Sequence, residues 1–200
     1  MPSQIQNIVA RISQLQDELE VALTERAEKF SYSVENRRIK FKSGTIKYQK
    51  QFKHVLWRYI FSARVLNVIT APVIYSLIVP FVLLDIWVSL YQAICFPAYG
   101  MEKVKRRDYI TFDRHHLAYL NLVEKLNCAY CSYGNGLLAY ALEIASRTEA
   151  YWCPIKHANK VAAYNSRYAD FSEYGDAENY RTDHKRNADS VRKADKIQND

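Results

Sequence analysis

Between Val65 and Pro97 the chain reads VLNVITAPVIYSLIVPFVLLDIWVSLYQAICFP, 33 residues with one formal charge, Asp85. As one straight helix this stretch is about 50 Å long at 1.5 Å per residue, against a hydrocarbon layer of roughly 30 Å. It therefore tilts strongly, extends into the headgroups or bends back. Pro72 and Pro80 supply break points, because each lacks a backbone donor and crowds the preceding turn.

The flanks add a constraint. Lys47, Lys50, Lys53, Arg58 and Arg64 precede the block, and Lys103, Lys105, Arg106, Arg107 and Arg114 follow it. A single kinked span leaves one basic group outside, against the positive-inside tendency. A helix-proline-helix hairpin with Pro80 near its tip keeps both groups on the cytoplasmic side. Each arm then has about 15 residues, too few to cross, so the hairpin is re-entrant or monotopic. Asp85 falls in the second arm, where a carboxylate is a candidate proton or ion ligand.

The net charge of +7 admits nucleic acid or an anionic membrane as partner. Its juxtamembrane placement favours lipid, and no nucleic-acid-binding signature accompanies it. The start, MPSQIQNIVARISQLQDELE, lacks the charged and apolar regions of a cleaved secretory signal. Four cysteines are too few for a disulfide scaffold, and reduced thiols on the cytoplasmic side are expected.

Ile5, Ile8, Ile12, Leu15, Leu19 and Ala22 recur at alternating spacings of three and four, a heptad stripe over residues 1–30. β-branched a positions suit a parallel pair of helices. Arg26 and Lys29 fall on the next a and d positions and end the stripe. Residues 31–64 form a basic amphipathic segment with two readings. Ile39 and Phe41 alternate with Ile46 and Tyr48 about Ser43-Gly44, a hairpin signal. Ile46, Phe52, Val55, Leu56, Tyr59 and Ile60 also share a helical face, which favours an interfacial helix from about Ile46.

Residues 98–158 carry most of the candidate chemistry. Asp113 is placed to N-cap a helix through about Cys131, YGNG at 133–136 breaks it, and a second helix runs until Pro154 ends or bends it. The expectation is an antiparallel helical hairpin. Glu124 is a possible ligand or a surface charge, and Glu143 and Arg147 read as an exposed i, i+4 pair. The abundant tyrosines suit packing at a wet boundary. From 159 to 200 both signs of charge mix with few aliphatics, so the tail is expected to be mostly disordered, with no role for His184.

Cys128-x2-Cys131 followed by Cys153-x3-His157 resembles a zinc ligand set, since thiolates and imidazole are suitable donors and four complete a tetrahedron. An unbroken hairpin turning at Asn135 would instead offset Cys131 from Cys153 by about 21 Å and bring Cys153 level with His115 and His116. Three readings follow. All four residues bind zinc or iron; or Cys95 joins Cys128, Cys131 and Cys153 around an iron-sulfur cluster; or these are small buried or free thiols and satisfied histidines. A redox pair of cysteines needs a lowered thiol pKa, which a position late in a helix disfavours.

The phrases YQAICFPAYG, DYITFDRHHLAYLNLVEKLNCAYCSYGNG and EIASRTEAYWCPIKHA, within residues 65 to 158, resemble a family of uncharacterised bacterial membrane-associated proteins. That resemblance implies a bacterial, membrane-linked setting and no particular reaction. The expectation is an all-α protein at the cytoplasmic face of a bacterial inner membrane. Its partners would be the bilayer and either further copies of itself or another membrane protein. Its function would be that of a binding or scaffold component. The alternatives are a metal- or iron-sulfur-dependent redox enzyme or electron carrier, and an ion or proton path through Asp85.

Overall fold

A computed structural model of the chain describes residues 4–35, 37–53 and 65–197. Helix dominates, joined by one two-stranded antiparallel ribbon, so the chain is of the all-α class. It divides into two compact units, Met1–Ser76 with Phe112–Tyr133, and Leu77–Thr111 with Gly134–Asp200.

In the first unit the heptad stripe forms α1, Gln4–Lys29, with Arg26 and Lys29 complementing the negative end of its dipole. Ser31 leaves the helix at φ 60°. Strand β1, Tyr32–Glu35, then pairs with β2, Arg38–Phe41, setting Tyr32 opposite Phe41 and Val34 opposite Ile39. The hairpin read about Ser43-Gly44 is therefore displaced upstream. Gly44, at φ 84°, instead opens α2, Thr45–Lys50, so a helix does start near Ile46. Val55, Leu56, Tyr59 and Ile60 of the expected interfacial face lie outside the described residues.

Helix α3, Val65–Ser76, meets residues 127–130 within this unit. The Tyr130 hydroxyl donates to the Ile74 carbonyl at 2.7 Å, the Tyr75 hydroxyl donates to Asn127 Oδ1, and the two tyrosine rings sit edge-on at 5.6 Å. Residues 112–121 are irregular apart from a 3-10 turn, Arg114–His116. Asp113 therefore caps no α-helix. The cap is Asn121: its Oδ1 accepts from Glu124 N at 3.0 Å, while Glu124 Oε2 accepts from Asn121 N at 2.8 Å, a reciprocal capping box.

Helix α5, Leu122–Trp152, runs for 31 residues straight through YGNG. The expected hairpin does not form. Its glycines serve close packing and not a turn. A Cβ on Gly136 would lie 2.6 Å from the Tyr109 carbonyl oxygen and 2.9 Å from Ile110 Cα, and one on Gly134 would lie 2.9 Å from the Phe81 ring. Each glycine costs an α-helix about 1 kcal/mol relative to alanine, less than the overlap it avoids.

In the second unit α4, Ile78–Tyr99, contains Pro80 in its first turn, where a missing N–H breaks no helical bond. Pro80 is thus no hairpin tip, and the interruption before α4 is Leu77, itself right-handed at φ −63°. Gly100 closes α4 at φ 70°. Residues 101–111 then retrace α4: Met101 N bonds Phe96 O at 2.8 Å, Val104 meets Gln92, and Arg106 meets Asp85. The core comprises Phe96, Met101, Val104, Ile110, Leu137, Tyr140 and Ile144, with Phe171 and Val191 from the far end of the chain.

Residues 154–192 of that far end differ from the expected tail. Pro154 is fully buried, Ser172 N donates to its carbonyl at 2.8 Å, and helix α6, Tyr180–Ile197, places Asn187, Ala188 and Val191 inside. Asn187 Nδ2 donates to the carbonyls of Asp170 and Asp183 at 3.0 and 2.9 Å. Arg192 caps α4 through the Tyr99 carbonyl at 3.0 Å and lies 5.1 Å over the Tyr151 ring. His184 Nε2 lies 3.2 Å from the Trp152 carbonyl at the end of α5.

Candidate functional site

The apolar sequence of α4 makes a helix by default, since in such a segment only intrahelical bonds can satisfy the backbone without water. Four of its residues, Asp85, Ser89, Gln92 and Phe96, follow at i, i+4, i+7 and i+11 and so share one face. That face is the buried one: Asp85 is 8% exposed, Gln92 6% and Phe96 0%. The opposite face carries Val79, Val82, Leu83, Ile86, Trp87, Leu90, Ala93 and Ile94, all exposed, with Trp87 at 66% and Ile86 at 57%. A helix on the surface of a water-soluble domain has the reverse pattern.

Inside, every polar group on that face is engaged. Arg106 grips Asp85 with Nε at 3.0 and 3.1 Å from the two carboxylate oxygens and Nη2 at 2.6 Å from Oδ2. This forked pairing is the geometry in which arginine binds a carboxylate best. Gln92 behaves like a strand neighbour to Val104, accepting from its N–H at 2.8 Å and donating to its carbonyl at 3.3 Å. Gln92 Nε2 also donates to the Tyr140 hydroxyl, which lies 3.3 Å from Ser89 Oγ. Tyr91 and Thr148 hydroxyls meet at 3.1 Å. The seam ties α4 to α5 and to the returning segment.

No family model, curated protein or solved structure matches this chain. The candidate site therefore stands on its own geometry.

A second polar cluster, half-buried, lies in the same unit. Glu143 receives Arg167 Nη2 at 2.8 Å and Arg147 Nε at 2.9 Å, while Arg147 Nη1 also donates to the Glu102 carbonyl at 2.9 Å. The pair expected to be exposed is thus mostly covered and has a third member. Burial pushes the Glu143 carboxyl up, but the bonds and charges of Arg167 and Arg147 outweigh it and hold it below the ordinary carboxylate value.

Among the described residues the candidate cysteines and histidines do not converge. Because α5 is continuous, Cys131 and Cys153, 22 positions apart, are separated by about 33 Å of helix. The hairpin that would have set His115 or His116 beside Cys153 is not formed. In the first unit His115 instead shares a small cleft with Cys128, Arg114 and Lys125. Cys95 sits on α4 as a half-buried free thiol, and Cys153 is free and exposed just beyond α5. The His157 N–H donates to the Tyr168 hydroxyl at 2.6 Å, and their rings stack. Among the described residues no three His, Cys, Asp or Glu side chains gather as a metal site. Burial raises the Cys153 thiol pKa and the Glu149 charge adds to it, which leaves little nucleophilic thiolate.

Sequence reasoning found Asp85 but missed its partner and its direction. The signal was available in Asp85-x3-Ser89-x2-Gln92, polar residues at helical spacing within an apolar run. Likewise Asn121-x2-Glu124 is a capping-box phrase.

Proposed function

We propose that this protein is a membrane-bound assembly component, attached to lipid by the outward face of α4 and joined to a second copy of itself through α1. The observation that carries the pairing is the surface of α1. Ile8, Ile12, Leu15 and Leu19 are exposed along one stripe of a 26-residue helix, and among the described residues nothing covers them. The i, i+4 bond from Gln14 to Glu18, 2.9 Å, lies beside that stripe and leaves it apolar. β-branched residues at Ile5 and Ile12 with Leu15 at a d position fit a parallel pair.

Three heptads are marginal alone, but confinement to a bilayer raises the effective concentration of the helices. The basic residues on both sides of the apolar stretch argue for the cytoplasmic face, and a bacterial inner membrane is what the resemblance of residues 65 to 158 implies. The described residues include one helical stretch long and apolar enough to cross a membrane, Val65–Tyr99.

The test is mass in mild detergent. The protein component is expected at twice the 23.4 kDa chain mass, falling to one chain in the double variant Ile12→Lys, Leu19→Lys with helix content unchanged. A wild-type chain that stays single at tens of micromolar would overturn the pairing.

A further inference from the structure

We infer that α4 lies in the plane of the membrane surface, half-sunk on its apolar side, and does not cross the bilayer; this rests on the lipid attachment proposed above. Two observations in the second unit conflict for a crossing helix and agree for a lying one. The first is the returning chain. Residues 102–108 bear Glu102, Lys103, Lys105, Arg106, Arg107 and Asp108, and they run back along α4 from Phe96 to Asp85. A helix set across the bilayer would bring those charges to whatever depth residues 85–96 occupy, and charge at depth is expensive.

The second is the outward face. Ending the hydrocarbon before Asp85 would spare the charged segment, but it would strand Ile86, Trp87, Leu90 and Ile94 in water. Those residues are exposed over about two further turns. A lying helix gives each side its own solvent. The apolar face sinks roughly 5–10 Å into the headgroup and acyl boundary, the depth typical of interfacial helices. The Asp85–Arg106 pair and the charged return segment remain on the water side. Trp87, at the centre of the outward face, is a residue type favoured at that boundary.

The first unit, taken by itself, points the same way. Ile74 and Tyr75 of α3 pack on Asn127 and Tyr130, within one or two turns of Glu124 and Lys125 on the same helix. A crossing α3 would carry those charges with it.

Depth measurement tests this in the full chain. Single-tryptophan forms are made with Trp57→Phe and Trp152→Phe throughout, keeping Trp87 or carrying Leu83→Trp, Leu90→Trp or Ile94→Trp with Trp87→Phe. They are bound to vesicles of phosphatidylcholine and phosphatidylglycerol in equal parts, brominated near the headgroup or near the chain end. The four positions share one helical face, so a lying helix gives all four equal quenching, stronger from the shallow bromines. A crossing helix separates positions 83 and 94 by about 16 Å along the normal and gives graded quenching, which would overturn the inference. Flotation with no quenching at any position would overturn it as well, because another segment would then be the attachment. Failure of the chain to float at all would instead defeat the lipid attachment on which the inference rests.

Discussion

Helices α4 and α6 belong to the same compact unit and are dressed in opposite ways. Helix α6 turns Arg186 and Lys185 outward and hides Ala188 and Val191, as a water-exposed helix does. Helix α4 hides Asp85 and Gln92 and turns Leu83, Ile86, Trp87, Leu90 and Ile94 outward. Leaving one large apolar side chain in water forgoes about 1.5–3 kcal/mol. Five of them amount to roughly 10 kcal/mol, comparable with the entire stability of a typical domain. The difference teaches that the two helices are built for different surroundings, and it supports the proposal that lipid covers the outward face of α4.

The largest effect should come from making α4 resemble α6. If the proposed lipid attachment holds, replacing Ile86 and Leu90 by Asp withdraws two apolar side chains from lipid, about 3–6 kcal/mol before the cost of the charges. Vesicle partitioning is expected to fall by two orders of magnitude or more, while the thermal midpoint stays within a few degrees. Unchanged partitioning would erase the contrast between the helices.

Next comes the packing beneath α4. Gly136→Ala forces a methyl against the backbone of Tyr109 and Ile110 and should cost about 2–3 kcal/mol in denaturation. Gly134→Ala meets only the Phe81 ring, which can turn, and should cost less. Equal costs would mean the return segment does not press on α5.

Gln92→Leu sharpens the comparison because it makes the inner face of α4 more apolar, as α6 would suggest is stabilising. Here it orphans the Val104 N–H and should destabilise by about 1–3 kcal/mol. A gain in stability would show that the polar seam is dispensable.

Smaller again is the acid response of Glu143. Its pKa is lowered in the fold, so its contribution is fully present above the ordinary carboxylate range and is lost as pH falls through the lowered value. Glu143→Gln should cost about 1 kcal/mol at neutral pH, after allowing for solvent screening, and flatten the acid limb of the stability curve. An unchanged acid limb would contradict that sign. Least of all, Arg192→Met on α6 should cost about 0.5 kcal/mol, measured by denaturation, through loss of the Tyr99 cap; a cost as large as that of Gly136→Ala would mean α6 holds the unit together.

Much of the fold was legible where periodicity was strong. The Ile5 to Ala22 heptads become α1, the apolar run becomes α3 and α4, and Pro154 follows the end of α5. The failures share a cause: local signals were outweighed by packing partners distant in sequence. Gly134 and Gly136 read as a turn because their role depends on Phe81 and Ile110. The C-terminal region read as disordered because Phe171, Ala188 and Val191 are sparse, and only contacts elsewhere in the unit make them sufficient. Spacing alone drew Cys128, Cys131, Cys153 and His157 together, whereas one unbroken helix holds the two cysteine groups apart. Asp85 was visible as an anomaly, but the direction it faces depends on Arg106, 21 residues later.

The most direct test of the central claim is flotation of the full chain with detergent-free phospholipid vesicles at about 1 M salt, where exposed charges are screened. The expected result is that the protein rises with the lipid and stays with it, because the outward face of α4 is held by apolar contact. Recovery of dispersed protein in the bottom fraction would mean that this face is covered by something other than lipid.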